Sequence, residues 1–308
     1  MNLLITGSCG HIGSYITENI HKIKIIKQTY LIDNLKSNSF RSLFNLKKKN
    51  NLKFFLTDLN DPKSLNKFKN IDIIIHCASM TNAEKSFENK KIMFDNNLNC
   101  LKTVLNYCKK NKTKLIHISS TSVYTKQFQK IVDENCEKKF LNPKSPYAKI
   151  KLIEEEILKK NKKKLDYITL RFGTIAGISK GIRFHTAVNK FCLNAAIDEP
   201  IEVYKTALNQ YRPYLSLKDA FKTFKFCIEN NFFENDIFNV FSENYTVKQI
   251  LKKIKKIKKK ITIKFVTSKI MNQLSFHVSK EKIRRKGLVL NSKIDKDIKD
   301  TLKLLSNI

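Results

Sequence analysis

Apolar residues come in short dense runs along this chain, separated by stretches with helical periodicity. Residues 1–6, 52–57, 71–78, 114–120 and 165–172 each hold a run long enough for one buried strand, and a shorter run at 30–32 ends in Asp33. The run at 71–78 is apolar at successive positions, as in a parallel strand covered on both faces. Ile12, Ile16, Ile20 and Ile23 recur at helical spacing and predict a helix over 14–26. Further helices are predicted over about 63–69, opened by Asp61-Pro62, over 94–110 and over 147–160. Strands alternating with helices predict an α/β fold, a doubly wound parallel sheet with helices on both faces. After Gly173 the alternation breaks down. Residues 174–211 read as loop and helix, 214–217 and 237–240 as short strands with a helix from near Asp219 between them, and 246–308 as helix, strand (261–266), loop and a final helix. The expected division is a sheet domain over 1–173 with about 212–242, and a smaller C-terminal lobe over 174–211 and 243–308.

The first strand leads directly into Gly7-Ser8-Cys9-Gly10-His11-Ile12-Gly13, then a helix, a second strand and an acid, Asp33, 20 residues beyond Gly13. Strand, glycine turn, helix, strand, acid is the order of a Rossmann-type dinucleotide-binding unit. Gly7 permits the tight turn, Gly10 admits a diphosphate close to the backbone, and Gly13 lets helix and strand approach. The helix N-terminus offers free N–H groups and the positive end of its dipole. His11 and Ile12 between the glycines, and Asn34 beside the acid, join these as expected cofactor-binding positions. The Asp33 carboxylate suits two ribose hydroxyls and repels a 2′-phosphate, so NAD is expected rather than NADP.

Tyr147 and Lys151 are spaced Y-x-x-x-K at the start of a helix, on one face and about 6 Å apart along its axis. A phenol is a weak base at neutral pH. A neighbouring ammonium and the positive nicotinamide ring of NAD⁺ would stabilise its phenolate, and lowering the pKa by about three units takes about 4 kcal/mol. Tyr147 can then accept a substrate hydroxyl proton. Ser120 lies 27 residues earlier, at the end of the preceding strand, in a hydroxyl cluster with Ser119, Thr121 and Ser122. Without that serine the tyrosine–lysine pair also fits an ordinary surface helix.

The chain carries 60 Lys and Arg against 27 Asp and Glu, a formal net charge of +33. Such a charge fits a polyanion partner, or a compositional drift toward Lys, Asn and Ile. The lysines fall on every predicted helix and loop, without the interleaved aromatics of a base-stacking surface. The densest run, 248–260, keeps Ile250, Leu251, Ile254 and Ile257 at helical spacing, so its lysines read as a solvated face and a nucleic-acid partner is not expected. The 7 cysteines are scattered without a C-x-x-C pair, which fits reduced thiols of a cytoplasmic protein and no metal site. No apolar run is long enough to span a membrane, and because Met1 leads straight into the first strand no signal peptide is expected.

The chain resembles the extended short-chain dehydrogenase/reductase family, specifically its NAD-dependent nucleotide-sugar epimerases and dehydratases. The resemblance rests on the glycine turn with Thr6, on Asp33-Asn34-Leu35, Asp58-Leu59, His76-Cys77-Ala78-Ser79 and Asn96-Asn97-Leu98-Asn99. It continues through Ser119-Ser120-Thr121-Ser122-Val123-Tyr124, Ser145-Pro146-Tyr147-Ala148-Lys149-Ile150-Lys151, Leu170-Arg171-Phe172-Gly173 and Arg212-Pro213-Tyr214-Leu215-Ser216-Leu217-Lys218-Asp219. It implies that Asp58 and Leu59 flank an adenine, that Ala78 and Asn96 contact the cofactor, and that Phe172 abuts the nicotinamide. Ser120, Tyr147 and Lys151 would be the catalytic set, with Thr121 as a second hydroxyl, and Arg212 would grip substrate phosphates. Ser122, Thr174 and His185 fall at substrate-contacting positions, and His185 also where some epimerase-reductases carry a catalytic histidine. A homodimer through the helices near 97–110 and 147–160 is implied as well.

The chain departs from the family pattern in several places. Thr121 and Ser122 stand where dehydratases carry acids, Thr125 where glycine is usual, and Thr174 where asparagine is frequent. The basic cluster that many 4-epimerases place before the final lobe is missing near Met271, with Arg284 and Arg285 as its candidate substitutes in space, while the absence of acids at 121 and 122 speaks against a 4,6-dehydratase. The expected activity is therefore a nucleotide-sugar 4-epimerase acting through a transient 4-keto sugar. The alternatives are a reductase, epimerase-reductase or dehydratase of the same family, or a non-catalytic NAD- or RNA-binding protein on this fold.

Overall fold

The computed structural model describes residues 1–46, 51–82, 86–125, 131–267 and 277–305, so Met271 lies outside the described residues. The chain opens with β1 (Asn2–Thr6), α1 (His11–Asn19), β2 (Gln28–Asp33), β3 (Leu52–Leu56), β4 (Ile73–His76), α2 (Lys90–Asn111) and β5 (Lys114–Ser120). There follow β6 (Ile131–Val132), α3 (Pro146–Lys160), β7 (Tyr167–Phe172), β8 (Thr174–Ala176), α4 (Ala187–Ala196), β9 (Ile201–Tyr204), β10 (Tyr211–Ser216) and α5 (Leu217–Glu229). The last part holds β11 (Asp236–Val240), β12 (Glu243–Thr246), α6 (Val247–Ile257), β13 (Ile263–Val266), β14 (His277–Val278), α7 (Glu281–Arg285) and α8 (Ile294–Leu305).

The apolar runs become one 7-stranded sheet in the order β11-β7-β5-β4-β1-β2-β3. Every pairing within it is parallel. Successive side chains of a strand point to opposite faces, so Leu3 and Ile5 pack with Ile16 of α1 and Phe224 of α5. Leu4 faces the other way, with Leu101 and Val104 of α2 and Leu158 of α3. Each such side chain, fully buried, contributes on the order of 1.5–3 kcal/mol. Strand order reverses between β1 and β4, which opens a crevice beyond the carboxyl ends of the strands.

A smaller lobe stands over that crevice. Val188 and Cys192 of α4, Ile201 and Val203 of β9, Ile250 and Ile254 of α6 and Ile298 of α8 share its core. Strand β10 pairs with β8 and β12 in a 3-stranded sheet, apart from the large sheet that β11 joins. In α6, a capping box of Thr246 and Gln249 fixes the start, and Lys248, Lys252, Lys255 and Lys256 are exposed. Ile257, at the end of that helix, is also open to solvent, at 45% exposure, because the helix stops there.

Three expected elements are corrected. The helix expected over 63–69 is a series of turns closed by bonds such as Ser64 N to Asp61 O and Phe68 N to Leu65 O. Asp58 and Asp61 accept from the N–H groups of Asn60 and Lys63, competing with helix formation. The first helix begins at His11 rather than 14 and gives way at residue 20 to a 3-10 turn, because Gly10 caps it directly. The region expected as loop and helix, 174–211, also holds β8 and β9, too short to show periodicity.

Candidate active site

Gly7, at φ +62°, turns the chain out of β1, and a Cβ there would lie 2.7 Å from the Ala78 backbone N. A Cβ on Gly13 would lie 2.3 Å from the Gly7 carbonyl oxygen, so the helix can start this close to the strand only without a side chain. Gly10 donates to the Gly7 carbonyl at 3.1 Å and caps α1, whose positive end faces the crevice. His11 shares its Nε2 with the Gly177 carbonyl at 2.8 Å, and burial pulls its pKa down to about 4. Its ring is thereby a neutral tie to the lobe, and what it can offer a cofactor is its backbone N–H. Ile12 is half-buried beside it.

At the end of β2, the Asp33 carboxylate accepts from Cys9 N at 3.0 Å and Leu35 N at 2.8 Å, which aims it at the glycine turn. Asn34 accepts from Lys36 N at 3.2 Å. Asp58 accepts from Asn60 and pairs with Lys36 at 2.9 Å. Burial opposes its charge, but those hydrogen bonds prevail and bring its pKa down to about 2. Leu59 turns its side chain, 4% exposed, into the core under α2, so only its backbone can meet a base. Asn96 accepts from Asn60 and donates to Asn97, both at 3.0 Å. Ala78 N donates to the Thr6 hydroxyl at 3.1 Å.

A cavity of about 490 Å³ opens from the glycine turn toward the lobe. Gly7, Gly10, His11, Ile12 and Gly13 line it, with Ser120, Tyr147, Lys151 and Phe172. Thr121, Ser122, Thr174, His185 and Arg212 complete the expected set within it, while Asp33, Asn34, Asp58, Leu59, Ala78 and Asn96 lie outside its lining. Ser120 ends β5 and accepts from Ser122 N at 3.2 Å and Ser122 Oγ at 2.9 Å, while its side chain also hydrogen-bonds Tyr147. Thr121 donates to the Phe172 carbonyl at 3.3 Å, and the Phe172 ring is itself 4% exposed. His185 is exposed at the rim.

Ser145 caps α3 by accepting from Ala148 N at 3.2 Å, with Pro146 in the first turn, which places Tyr147 at the mouth of the helix. Lys151 Nζ lies 5.9 Å from the centre of the Tyr147 ring. The sequence predicts that this ammonium lowers the phenol's pKa. In the chain by itself burial outweighs the ammonium and the Ser120 hydrogen bond, and the Tyr147 pKa is raised. Lys151 has the reverse balance: burial works against its charge, yet Glu154 and Tyr147 raise its pKa.

Several site residues escape the sequence patterns. Arg183 donates to Thr81, lines the cavity, and stands so close to the glycine turn that a Cβ on Gly10 would be 3.3 Å from its Nη2. Burial lowers the pKa of both Arg183 and Arg212. Asn97, 1% exposed, grips Met80 through its N–H at 2.8 Å and its carbonyl at 3.1 Å, fixing the loop after β4. Glu155, Arg171, His117 and Glu154 are buried polar groups beneath the site.

The model of the NAD dependent epimerase/dehydratase family matches residues 3–240. The chain belongs to that family. It is an enzyme family whose cofactor is NAD. A putative UDP-glucose 4-epimerase of Methanocaldococcus jannaschii is 27% identical over 77% of this chain and 76% of its own length. A dTDP-D-glucose 4,6-dehydratase of Dictyostelium discoideum is 31% identical, over 57% of this chain and 44% of its own length. The chain thus spans less than half of that relative. Among solved structures, a Thermus thermophilus UDP-glucose 4-epimerase with NAD superposes at a TM-score of 0.82 over 98% of both chains, at 21% identity. A Bacillus cereus UDP-glucuronic acid 4-epimerase with its substrate and NAD superposes at 0.84 over 100% of this chain and 99% of that one, at 22% identity. The family's cofactor fits the residues present: a tight glycine turn and an α-helix N-terminus at the cavity, and the Asp33 carboxylate held toward that turn by Cys9 N. Among the described residues no helix is long and apolar enough to cross a membrane.

Proposed function

We propose that the chain is a nucleotide-sugar 4-epimerase acting through a transient 4-keto sugar. One observation carries the reading: Ser120, Tyr147 and Lys151 share a cavity with the glycine turn and with Arg212. In this reading residues 1–173 with about 212–242 hold the cofactor, and 174–211 with 243–308 the substrate. Arg212 and Arg183 bind diphosphate oxygens with planar guanidinium groups. Thr121, Ser122, Thr174 and His185 meet the sugar. Ser120 hydrogen-bonds the C4 oxygen and Tyr147 takes its proton, with Lys151 stabilising the phenolate. When bound, NAD supplies the acceptor and later the donor of the C4 hydride, together with a positive ring. Once the keto sugar has turned over in the cavity, Tyr147 returns the proton to the same oxygen.

Hydroxyls at 121 and 122 favour this outcome over dehydration, which needs an acid and a base beside C5 and C6. Among the described cavity residues the one carboxylate is Glu202, whose side chain is 48% exposed and 3.9 Å from Lys190. Purified protein with NAD, offered UDP-, GDP-, dTDP- and CDP-sugars, should convert at least one to its C4 epimer, as read by chromatography. Unchanged sugars throughout the panel would contradict the reading. We also propose a cytoplasmic homodimer through α2 and α3, on which Ile92 and Ile153 are 60% and 39% exposed. Light scattering should give twice the chain mass.

A further inference from the structure

Helix α3 carries Tyr147, Lys151 and Glu154 at spacings of four and three, one stripe along one face. That stripe runs inward. Lys151 is 4% exposed and Glu154 2%. Oxygen Oε2 of Glu154 accepts from Lys151 Nζ at 2.8 Å and lies 2.9 Å from Nε2 of His117 on β5. His117 is fully buried, and its Nδ1 lies 3.5 Å from the Thr169 hydroxyl on β7. We propose that Glu154, held by His117, is a positioning residue of the catalytic pair, fixing the Lys151 ammonium beneath Tyr147 and sustaining its charge inside the protein. This rests on the reading of Tyr147 and Lys151 as that pair.

Other charged groups nearby are already engaged. Glu155, next on the helix, is held by Arg171 at 2.9 and 2.6 Å and by Ser119 at 2.5 Å. On β4, His76 shares its Nδ1 with Thr6 at 2.8 Å, and burial with the neighbouring His117 takes its pKa down to about 3, so it is neutral. Burial likewise raises the Cys77 thiol to about 12 and leaves it uncharged. Arg183 faces Tyr147 from across the cleft. Glu154 is therefore the carboxylate that answers Lys151 among the described residues. A buried amine without an anion sheds its proton readily. The same carboxylate opposes deprotonation of Tyr147. One negative charge thus raises the pKa of both members of the pair, the phenol and the ammonium.

Removing that charge should slide the whole pH profile in one direction. In Glu154→Gln both limbs of kcat/KM against pH should move to lower pH by about one unit, a tenfold change in activity at a fixed pH on either limb. Glu154→Asp keeps the charge but withdraws it by one methylene, and should move both limbs the same way by less. His117→Gln leaves the carboxylate charged and should lower the maximum with little displacement of the limbs. If Glu154→Gln and Glu154→Asp both lose activity by the same factor at every pH, with the limbs in place, the carboxylate is a packing group and the proposal is wrong. Should Glu154→Gln fail to fold, the Glu154→Asp profile decides alone. Tyr147→Phe separates the two ideas: if it stays active the reading of the pair fails, whereas an inactive Tyr147→Phe with unmoved Glu154 profiles overturns this inference only.

Discussion

Beneath Tyr147, Glu154 and Glu155 are 2% and 5% exposed, and each meets a cation that is itself buried, Lys151 or Arg171. At the far end of the crevice Asp33 and Asp58 are half-buried, and they are answered by backbone N–H groups, Asn60 and the exposed Lys36. The two ends do different work. Backbone donors orient an acid at little cost and leave it open to a ligand. Buried ion pairs lose solvation on both sides, so they hold geometry and local charge, and breaking one strands its partner. Mutations and pH should therefore act strongly at the catalytic end and weakly at the other.

The largest expected effect is on chemistry. Tyr147→Phe should lower kcat by about 10³-fold with unfolding stability unchanged, because it removes the proton acceptor and keeps the ring. Arg171→Met should cost about 3–5 kcal/mol in denaturant unfolding by leaving Glu155 buried and unpaired. A third case sharpens the comparison. Asp297 of α8 accepts from Ser216 at 3.1 Å, but its Oδ2 has no hydrogen-bond partner among the described residues and burial pushes its pKa up to about 7. The folded pKa exceeds the unfolded value of about 3.9, so its ionisation erodes stability as pH rises from about 4 through 7. Asp297→Asn should then be more stable than the parent at pH 8 by about 2 kcal/mol, with the gain vanishing near pH 4.

The smallest effect belongs to the end of the crevice that holds Asp58. Asp58, brought down to about 2, contributes stability present above pH 4 and lost as pH falls through 2. Its partner Lys36 has a side chain 72% exposed, so solvent screens the pair and Asp58→Asn should cost under about 1 kcal/mol at pH 7. A larger loss, measured as a shift in denaturation midpoint, would erase the contrast between the two ends.

The same contrast governs how much of the molecule is legible from its residues. The glycine turn, Asp33 and the apolar strands are local features, and they appear where spacing predicts them. Lys151 and Ser120 follow from Tyr147 by register and by strand-end topology. The glutamates are harder. Glu154, Glu155 and Glu156 read as one charged helix surface, yet only Glu156 is exposed. Their burial is set by strands β5 and β7, distant in sequence, which bring His117 and Arg171 underneath. Arg183 is hidden for a related reason: no periodicity marks 177–183, and its place follows from Gly181 seated on the Cys9 carbonyl, where a Cβ would lie 2.3 Å away. The absent helix at 63–69 shows the turn-forming bonds of Asp58 and Asp61 overriding the helix start expected at Asp61-Pro62, while Leu65 and Phe68 are buried all the same.

The most direct test of the central claim is proton NMR of a nucleotide sugar turned over by the protein with NAD in heavy water. If Tyr147 moves only the hydroxyl proton and the carbon-bound hydrogen returns to C4, the product should be inverted at C4 with no deuterium on any sugar carbon. A product that has lost water or gained deuterium at C3, C5 or C6 would contradict the account.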